Sequence, residues 1–172
     1  MKALKIISLI LFVSVLAYSQ RDVKNLRSIG GTWSLDKSRS EAGGGLQAEF
    51  NDTTIIIVQD EISIKMTSKI KLGGTESSSE SVYFLDGRAD DKKPNSNGEQ
   101  KTTKWDGKKL VILTRSVVRA ITVGDRNPTM EIREEWEISK DGDTLTRTDS
   151  STGMPGIMPP TKSKFVFSRV PQ

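Results

Sequence analysis

The 172-residue chain has no cysteine and no histidine. Without cysteine no disulfide can staple the fold, so a hydrophobic core of sufficient size has to hold it. Thiolate nucleophiles and zinc sites of the Cys/His type are excluded. Without histidine the chain also lacks the commonest general base, the usual partner of a serine nucleophile and the commonest transition-metal ligand. Any enzyme built from this sequence would have to work with carboxylates, Ser, Lys or Tyr. The expectation is a protein that performs no catalysis and holds no cofactor. Long apolar runs are scarce as well. The one at Ile6–Leu16 is well short of the about 20 residues that span a bilayer.

That run has the layout of an export signal. Lys2 and Lys5 precede it, and Ala17-Tyr18-Ser19 follows it with small residues at the positions a signal peptidase reads. Met1–Ser19 is therefore read as a signal peptide, with Gln20 as the new N-terminus; an uncleaved membrane anchor is the alternative. No cysteine follows the run, which excludes a bacterial lipoprotein anchor. The expected product is exported to the periplasm or beyond, with no membrane insertion after cleavage. Of the 26 basic residues, 24 remain once Lys2 and Lys5 are set aside, against 22 acidic ones, leaving a mature net charge of +2. A nucleic-acid partner, which usually meets a clustered basic face, is not expected.

Residues 20–172 have the length of one domain. Asp22–Ile29 is read as a short helical turn. Beyond Gly30 the pattern is period two, which sends alternate side chains to opposite faces of a sheet. Ile62, Ile64, Met66, Ile70 and Leu72 share a face with Ser68, while Ser63, Lys65, Thr67, Lys69 and Lys71 share the other. Met130, Ile132, Trp136 and Ile138 oppose Glu131, Arg133, Glu135 and Glu137 in the same way. Further strands are expected at Gly31–Leu35, Thr53–Val58, Ser79–Leu85, Lys101–Trp105, Leu110–Arg115 (running on towards Val123), Thr144–Thr148 and Lys164–Val170. Asp106-Gly107 and Asp141-Gly142 supply tight hairpin turns. Lys37–Gly45, Asp86–Gly98 and Ser150–Pro160 are expected to be loops. The fold class is all-β: an up-and-down antiparallel barrel of about eight to ten strands, because rolling up hides the apolar face and removes exposed edges. A two-sheet sandwich is the alternative.

Gly31-Thr32-Trp33 opens the first strand, and Arg169 lies in the last. This resembles the lipocalin and calycin barrels, which carry Gly-x-Trp on the first strand and an arginine on the last. The resemblance implies that Gly31, Trp33 and Arg169 form a structural closing group, with the cation over the indole. The run Asn51–Met66 followed by Lys101–Arg115 also looks like the intracellular fatty-acid-binding proteins. Those proteins hold a lipid carboxylate with Arg-x-Tyr on the last strand, where this chain has Lys164-Phe165-Val166-Phe167. The export signal departs from the intracellular type too. The reading is a lipocalin-like protein of an exported bacterial branch.

Alternation places Glu134 on the same face as Met130, Ile132, Trp136 and Ile138, and Arg147 and Asp149 on the same face as Leu145. If Ile138 pairs with Leu145 across the Asp141-Gly142 turn, Trp136 opposes Arg147 and Glu134 opposes Asp149. Arg147 then lies diagonal to Glu134, within pairing reach, and buried charges need such pairing. Glu134, Trp136 and Arg147, together with Met154 and Met158 as an apolar lid, are the candidate ligand-binding residues. An interior ion pair with no ligand role is the plainer reading of the charged residues, and an ordinary loop packing that of the two methionines. Two opposed carboxylates, Glu134 and Asp149, also meet the loose requirement of glycosidase chemistry for a pair about 5–10 Å apart. Tyr83, Trp105, Phe165 and Phe167 are expected in the core. Asn51-Asp52-Thr53 matches a glycosylation acceptor, meaningful only in a eukaryotic secretory pathway. The functional expectation is binding of a small hydrophobic ligand in the barrel. The alternative is a filled barrel acting as a cell-envelope or protein-interaction module.

Overall fold

The computed structural model describes residues 28–43, 52–86, 88, 99–117, 127–154 and 158–171. The signal-peptide reading, most of the Asp22–Ile29 turn, the continuation towards Val123 and most of the Asp86–Gly98 loop lie outside them.

Among the described residues, nine strands form one antiparallel sheet: β1 (Gly31–Leu35), β2 (Asp52–Gln59), β3 (Ser63–Leu72), β4 (Thr75–Phe84), β5 (Gln100–Asp106), β6 (Lys109–Val117), β7 (Thr129–Ile138), β8 (Thr144–Ser151) and β9 (Thr161–Arg169). Their order is β4-β3-β2-β1-β9-β8-β7-β6-β5. The chain is thus an up-and-down meander that joins its first strand to its last, as an antiparallel barrel does. The register matches Trp33 with Arg169, Ile138 with Leu145, Trp136 with Arg147, and Glu134 with Asp149.

Among the described residues the sheet does not close by hydrogen bonds all the way round. Nine strands alternating in direction leave the two edge strands, β4 and β5, running the same way. They come close without pairing, and a seam runs between them. Phe84 ends β4 at the end of the barrel that holds Trp33, while Gln100 starts β5 at the opposite end.

Tight turns fix the hairpins at the Trp33 end. Asp60 accepts hydrogen bonds from the backbone N–H groups of Ile62 and Ser63 at 2.9 and 2.6 Å. Gly107 and Gly142 take the positive φ that their turns require, 58° and 84°. A further hairpin sits at the other end, where Gly73 and Gly74 both have positive φ, 55° and 88°. It starts β4 at Thr75, four residues before the strand expected from Ser79. The run Thr75–Ser81 has no hydrophobic residue to mark its period, so only the Gly-Gly pair signals the turn.

Three other expectations need revision. Ile62 lies in the bend before β3 and is 57% exposed, and Leu72 at its far tip is 61% exposed. The apolar alternation therefore runs past both ends of the buried stretch. In the expected loop at Lys37–Gly45, residues Lys37–Arg39 form a 3-10 turn capped by Asp36, after which Glu41 bridges antiparallel to Lys164. The first strand in effect resumes along β9 after a short bulge. In the expected loop at Ser150–Pro160, β8 continues to Ser151, and Met154 and Met158 form an antiparallel bridge.

The core is concentrated at the Trp33 end. Ile29, Trp33, Ile55, Ile57, Ile64, Met66, Leu110, Ile112, Trp136, Ile138, Leu145 and Phe167 form one buried cluster, with Tyr83, Trp105 and Phe165 packed against it. Burying a side chain such as Leu145 or Phe167 contributes roughly 1.5–3 kcal/mol, which is how a chain without disulfides holds together.

Candidate functional site

The barrel interior changes character along its length. At the Trp33 end it is apolar and closed. The Trp33 indole N–H donates to the carbonyl of Ile29 at 3.0 Å. The guanidinium of Arg169 lies over the Trp33 ring, 4.2 Å from its centroid. Its Nε donates to the Gly142 carbonyl at 2.8 Å and its Nη1 to the Gly30 carbonyl at 3.2 Å. Gly31 passes so close that a Cβ there would sit 2.5 Å from Arg169 Nη1. These contacts tie one end of the barrel together.

One rung further in, the lining turns polar. Following β8 from the closed end, the inward residues are Leu145, Arg147, Asp149 and Ser151, each two positions and so about 6–7 Å from the last. Arg147 lies between two aromatic rings, its guanidinium carbon 4.3 Å from the Phe165 centroid and 5.4 Å from that of Trp136. Its Nη2 meets Asp149 Oδ2 at 2.9 Å. The expected diagonal pair with Glu134 is not made. The partner is the carboxylate two residues along the same strand, because the flanking rings hold the guanidinium over β8 rather than letting it reach across to β7. Both side chains are about three-quarters buried, at 26% and 25% exposure.

Glu134, directly opposite Asp149, faces the same interior, where it acts electrostatically on Tyr83, Lys101 and Asp149. Burial pushes the Asp149 carboxyl up to about 6. Arg147 pulls against that shift and Glu134 adds to it. Burial raises the Tyr83 hydroxyl, and the Glu134 charge reinforces the rise. For Lys101 burial works downward but is outweighed by the hydrogen bond to Glu99, with Tyr83 and Glu134 assisting, so its ammonium is held above the usual range. The Lys101–Glu99 contact is 2.9 Å.

Several polar atoms in this zone are buried and find no hydrogen-bond partner among the described residues. They are the Trp105 and Trp136 indole nitrogens, Arg147 Nε and Asp149 Oδ1. Three are donors and one is an acceptor. Natural folds rarely leave such groups unmet, and each costs about 1–3 kcal/mol when they do.

Asp149 also lines a cavity of about 440 Å³ that reaches the far end of the barrel beside Ile132, Ser151, Met158, Pro159 and Ser163. This volume lies in the range of small-molecule sites, about 300–1,000 Å³. Met154 and Met158 exchange backbone hydrogen bonds of 2.8 and 2.9 Å above it. Met154 is 5% exposed and packed inward, while Met158 is 43% exposed and borders the cavity.

The register thus brings Trp136, Arg147, Asp149 and Glu134 into one zone, with Met158 at its rim and Met154 tucked in beside it. Lys101, Tyr83 and Trp105 belong to the same zone and were not among the candidate ligand-binding residues. Alternation along Lys101, Thr103 and Trp105, opposite Thr114, Ile112 and Leu110, carried the signal for the lysine. Among the described residues no group of three or more potential ligands could hold a metal ion, and no helix is long and apolar enough to cross a membrane.

No protein-family model and no curated protein matches the chain. Solved structures do resemble it. The apo crystal structure of lipid binding protein 8 of Caenorhabditis elegans is similar with a TM-score of 0.50 and 10% identity, over 86% of this chain and 99% of that one. The REP1-NXSQ fatty acid transporter is similar with a TM-score of 0.49 and 14% identity, over 84% of this chain and 97% of that one. At such identities the likeness is one of fold. The shared architecture is an up-and-down antiparallel β-barrel.

Proposed function

We propose that this protein is an exported barrel that holds a small molecule in its interior and performs no chemistry on it. One observation carries the reading: a cavity of about 440 Å³ lined by Asp149 together with Ile132, Met158 and Pro159. A filled barrel serving only as an interaction module would close such a space with side chains. The similar structure's name, lipid binding protein, is compatible with this reading. Export rests on the layout of Met1–Ser19, and assignment to a bacterial branch rests on the resemblance described above.

The test is a titration of the mature protein with Nile red, an uncharged dye that brightens in apolar surroundings. Saturable one-to-one binding is expected, and Ser163→Trp, which fills the cavity, should abolish it while the far-ultraviolet circular dichroism stays unchanged. Dye binding that is absent, or unaffected by filling the cavity, would sink the proposal. For export, the N-terminal residue of protein recovered from its own source should be Gln20; recovery with Met1 in place would refute it.

A further inference from the structure

Resting on that reading, we infer that Ser151 and Ser163 recognise an uncharged oxygen acceptor on the ligand, such as a ketone or ester carbonyl. Both residues line the cavity and both are half-buried. The register pairs Ser163 with Asp149 and Ser151 with Thr161, which makes the two serines diagonal neighbours on the inward face. Each hydroxyl oxygen accepts a backbone N–H: Ser163 from Gly43 at 2.9 Å, and Ser151 from Gly153 at 3.1 Å. Those bonds hold the oxygens in place and leave each hydroxyl with a hydrogen to donate. Among the described residues neither hydroxyl donates to a protein acceptor. Asp149, directly opposite Ser163, takes its side-chain hydrogen bond from Arg147 instead. Ser150 differs from its neighbour, since its hydroxyl donates to the Arg133 carbonyl at 3.5 Å.

The lining also restricts charge. Among the described residues it holds one ionisable side chain, Asp149. Its Oδ2 is held by Arg147 at 2.9 Å, and its Oδ1 is enclosed. A ligand cation therefore meets no free carboxylate oxygen. A ligand carboxylate meets no cation in the lining and has a like charge beside Ser163. A plain hydrocarbon would cover both hydroxyl hydrogens without offering an acceptor, and a buried donor left unmet is costly. A carbonyl oxygen accepts a hydrogen bond and carries no net charge, which is what this lining lacks. The rest of the molecule would pack on Ile132, Met158 and Pro159. A cavity of about 440 Å³ has room for about 15 non-hydrogen atoms, at the share of volume each water molecule takes in the liquid.

The experiment displaces bound Nile red from the mature protein with hexanophenone and with hexylbenzene, two probes of similar size that differ in one carbonyl group. Ser151→Ala and Ser163→Ala should each lower the ratio of hexanophenone to hexylbenzene affinity about fivefold or more, the size of one neutral hydrogen bond. A general loss of packing weakens both probes together and leaves the ratio alone. An unchanged ratio in both variants would overturn the inference. A second readout needs no variant. The carbonyl stretch of hexanophenone bound to the wild-type protein should lie below its frequency in hexane, and a stretch at the hexane frequency would overturn the inference as well. A protein that binds both probes with the ratio unaffected defeats this inference alone, whereas one that binds neither the dye nor any probe defeats the carrier reading with it.

Discussion

Arg169 stands opposite Trp33 across the β1–β9 pair, with its guanidinium carbon 4.2 Å from the indole centroid. The same guanidinium donates to the carbonyls of Gly142 and Gly30. One side chain therefore ties the last strand to the β7–β8 turn and to the segment that leads into the first strand. A cation on an indole face contributes ~0.5–2 kcal/mol, and more where water is kept away.

Arg169→Lys should cost about 1–2 kcal/mol in urea unfolding with the sheet signal retained. A compact ammonium keeps the charge but cannot lie flat on the ring and serve two carbonyls at once. A change below about 0.5 kcal/mol, within the scatter of ordinary surface substitutions, would mean that the fork contributes little.

Gly31→Ala should be destabilising by about 1–3 kcal/mol. The residue has φ 141°, and the added Cβ would meet Arg169 Nη1 at 2.5 Å. In an Arg169→Ala background the same substitution should cost less, because the clash is gone and only the backbone strain remains. Equal costs in both backgrounds would assign the whole effect to the backbone.

Arg147→Leu should lower stability by about 2–4 kcal/mol, because it leaves Asp149 in the interior without its cation. Adding Asp149→Leu should recover at least half of that loss. A double variant no more stable than the single one would show that the ion pair and the lost stability are unrelated.

Asp149 gives a stability term with a definite sign. Burial pushes its carboxyl up to about 6, above the usual carboxylate value near 3.9. The folded protein therefore holds a proton there that the unfolded chain has released. The associated stability is full below about pH 4 and is lost as pH rises through about 6. Asp149→Asn removes that dependence. Relative to the wild type, the variant should gain roughly 1–3 kcal/mol between pH 4 and pH 7.5, measured as the difference between two urea curves at each pH. Asp60 and Asp141, which are held below their usual range, act in both proteins and cancel. A difference that stays flat, or falls, across that window would refute the assignment.

The legible parts of the fold were those where sequence pattern and burial coincide. Met130–Ile138 alternates cleanly, and the Asp141-Gly142 turn sets its register, so the pairing of Trp136 with Arg147 and of Glu134 with Asp149 follows from counting residues back from the turn. The first half of β4 was not legible. Its serines and glutamates have no hydrophobic period, and its place in the sheet comes from pairing with β3. The seam between β4 and β5 was hidden for a different reason. Strand number fixes edge direction only through its parity, and a reading of about eight to ten strands leaves parity open.

The candidate site was legible as a list of inward residues and illegible as a set of bonds. Alternation put Glu134, Arg147 and Asp149 inside but could not choose between the diagonal and the same-strand partner for Arg147. The rings of Trp136 and Phe165, on strands to either side, made that choice. Lys101 was missed because Lys101–Trp105 holds two lysines on opposite faces, Lys101 and Lys104, and each looks like part of a solvated face until the strand's neighbours are known.

By itself the amino-acid order determined the all-β class, the hairpin turns, the inward and outward faces of the best-patterned strands, and the absence of thiol and imidazole chemistry, because each depends on residue type or on neighbours close along the chain. Tertiary structure alone decided where the lining turns from apolar to charged, which carboxylate neutralises which cation, and how much space remains. Those depend on distances between atoms on strands far apart in the chain, and a period of two carries no information about them.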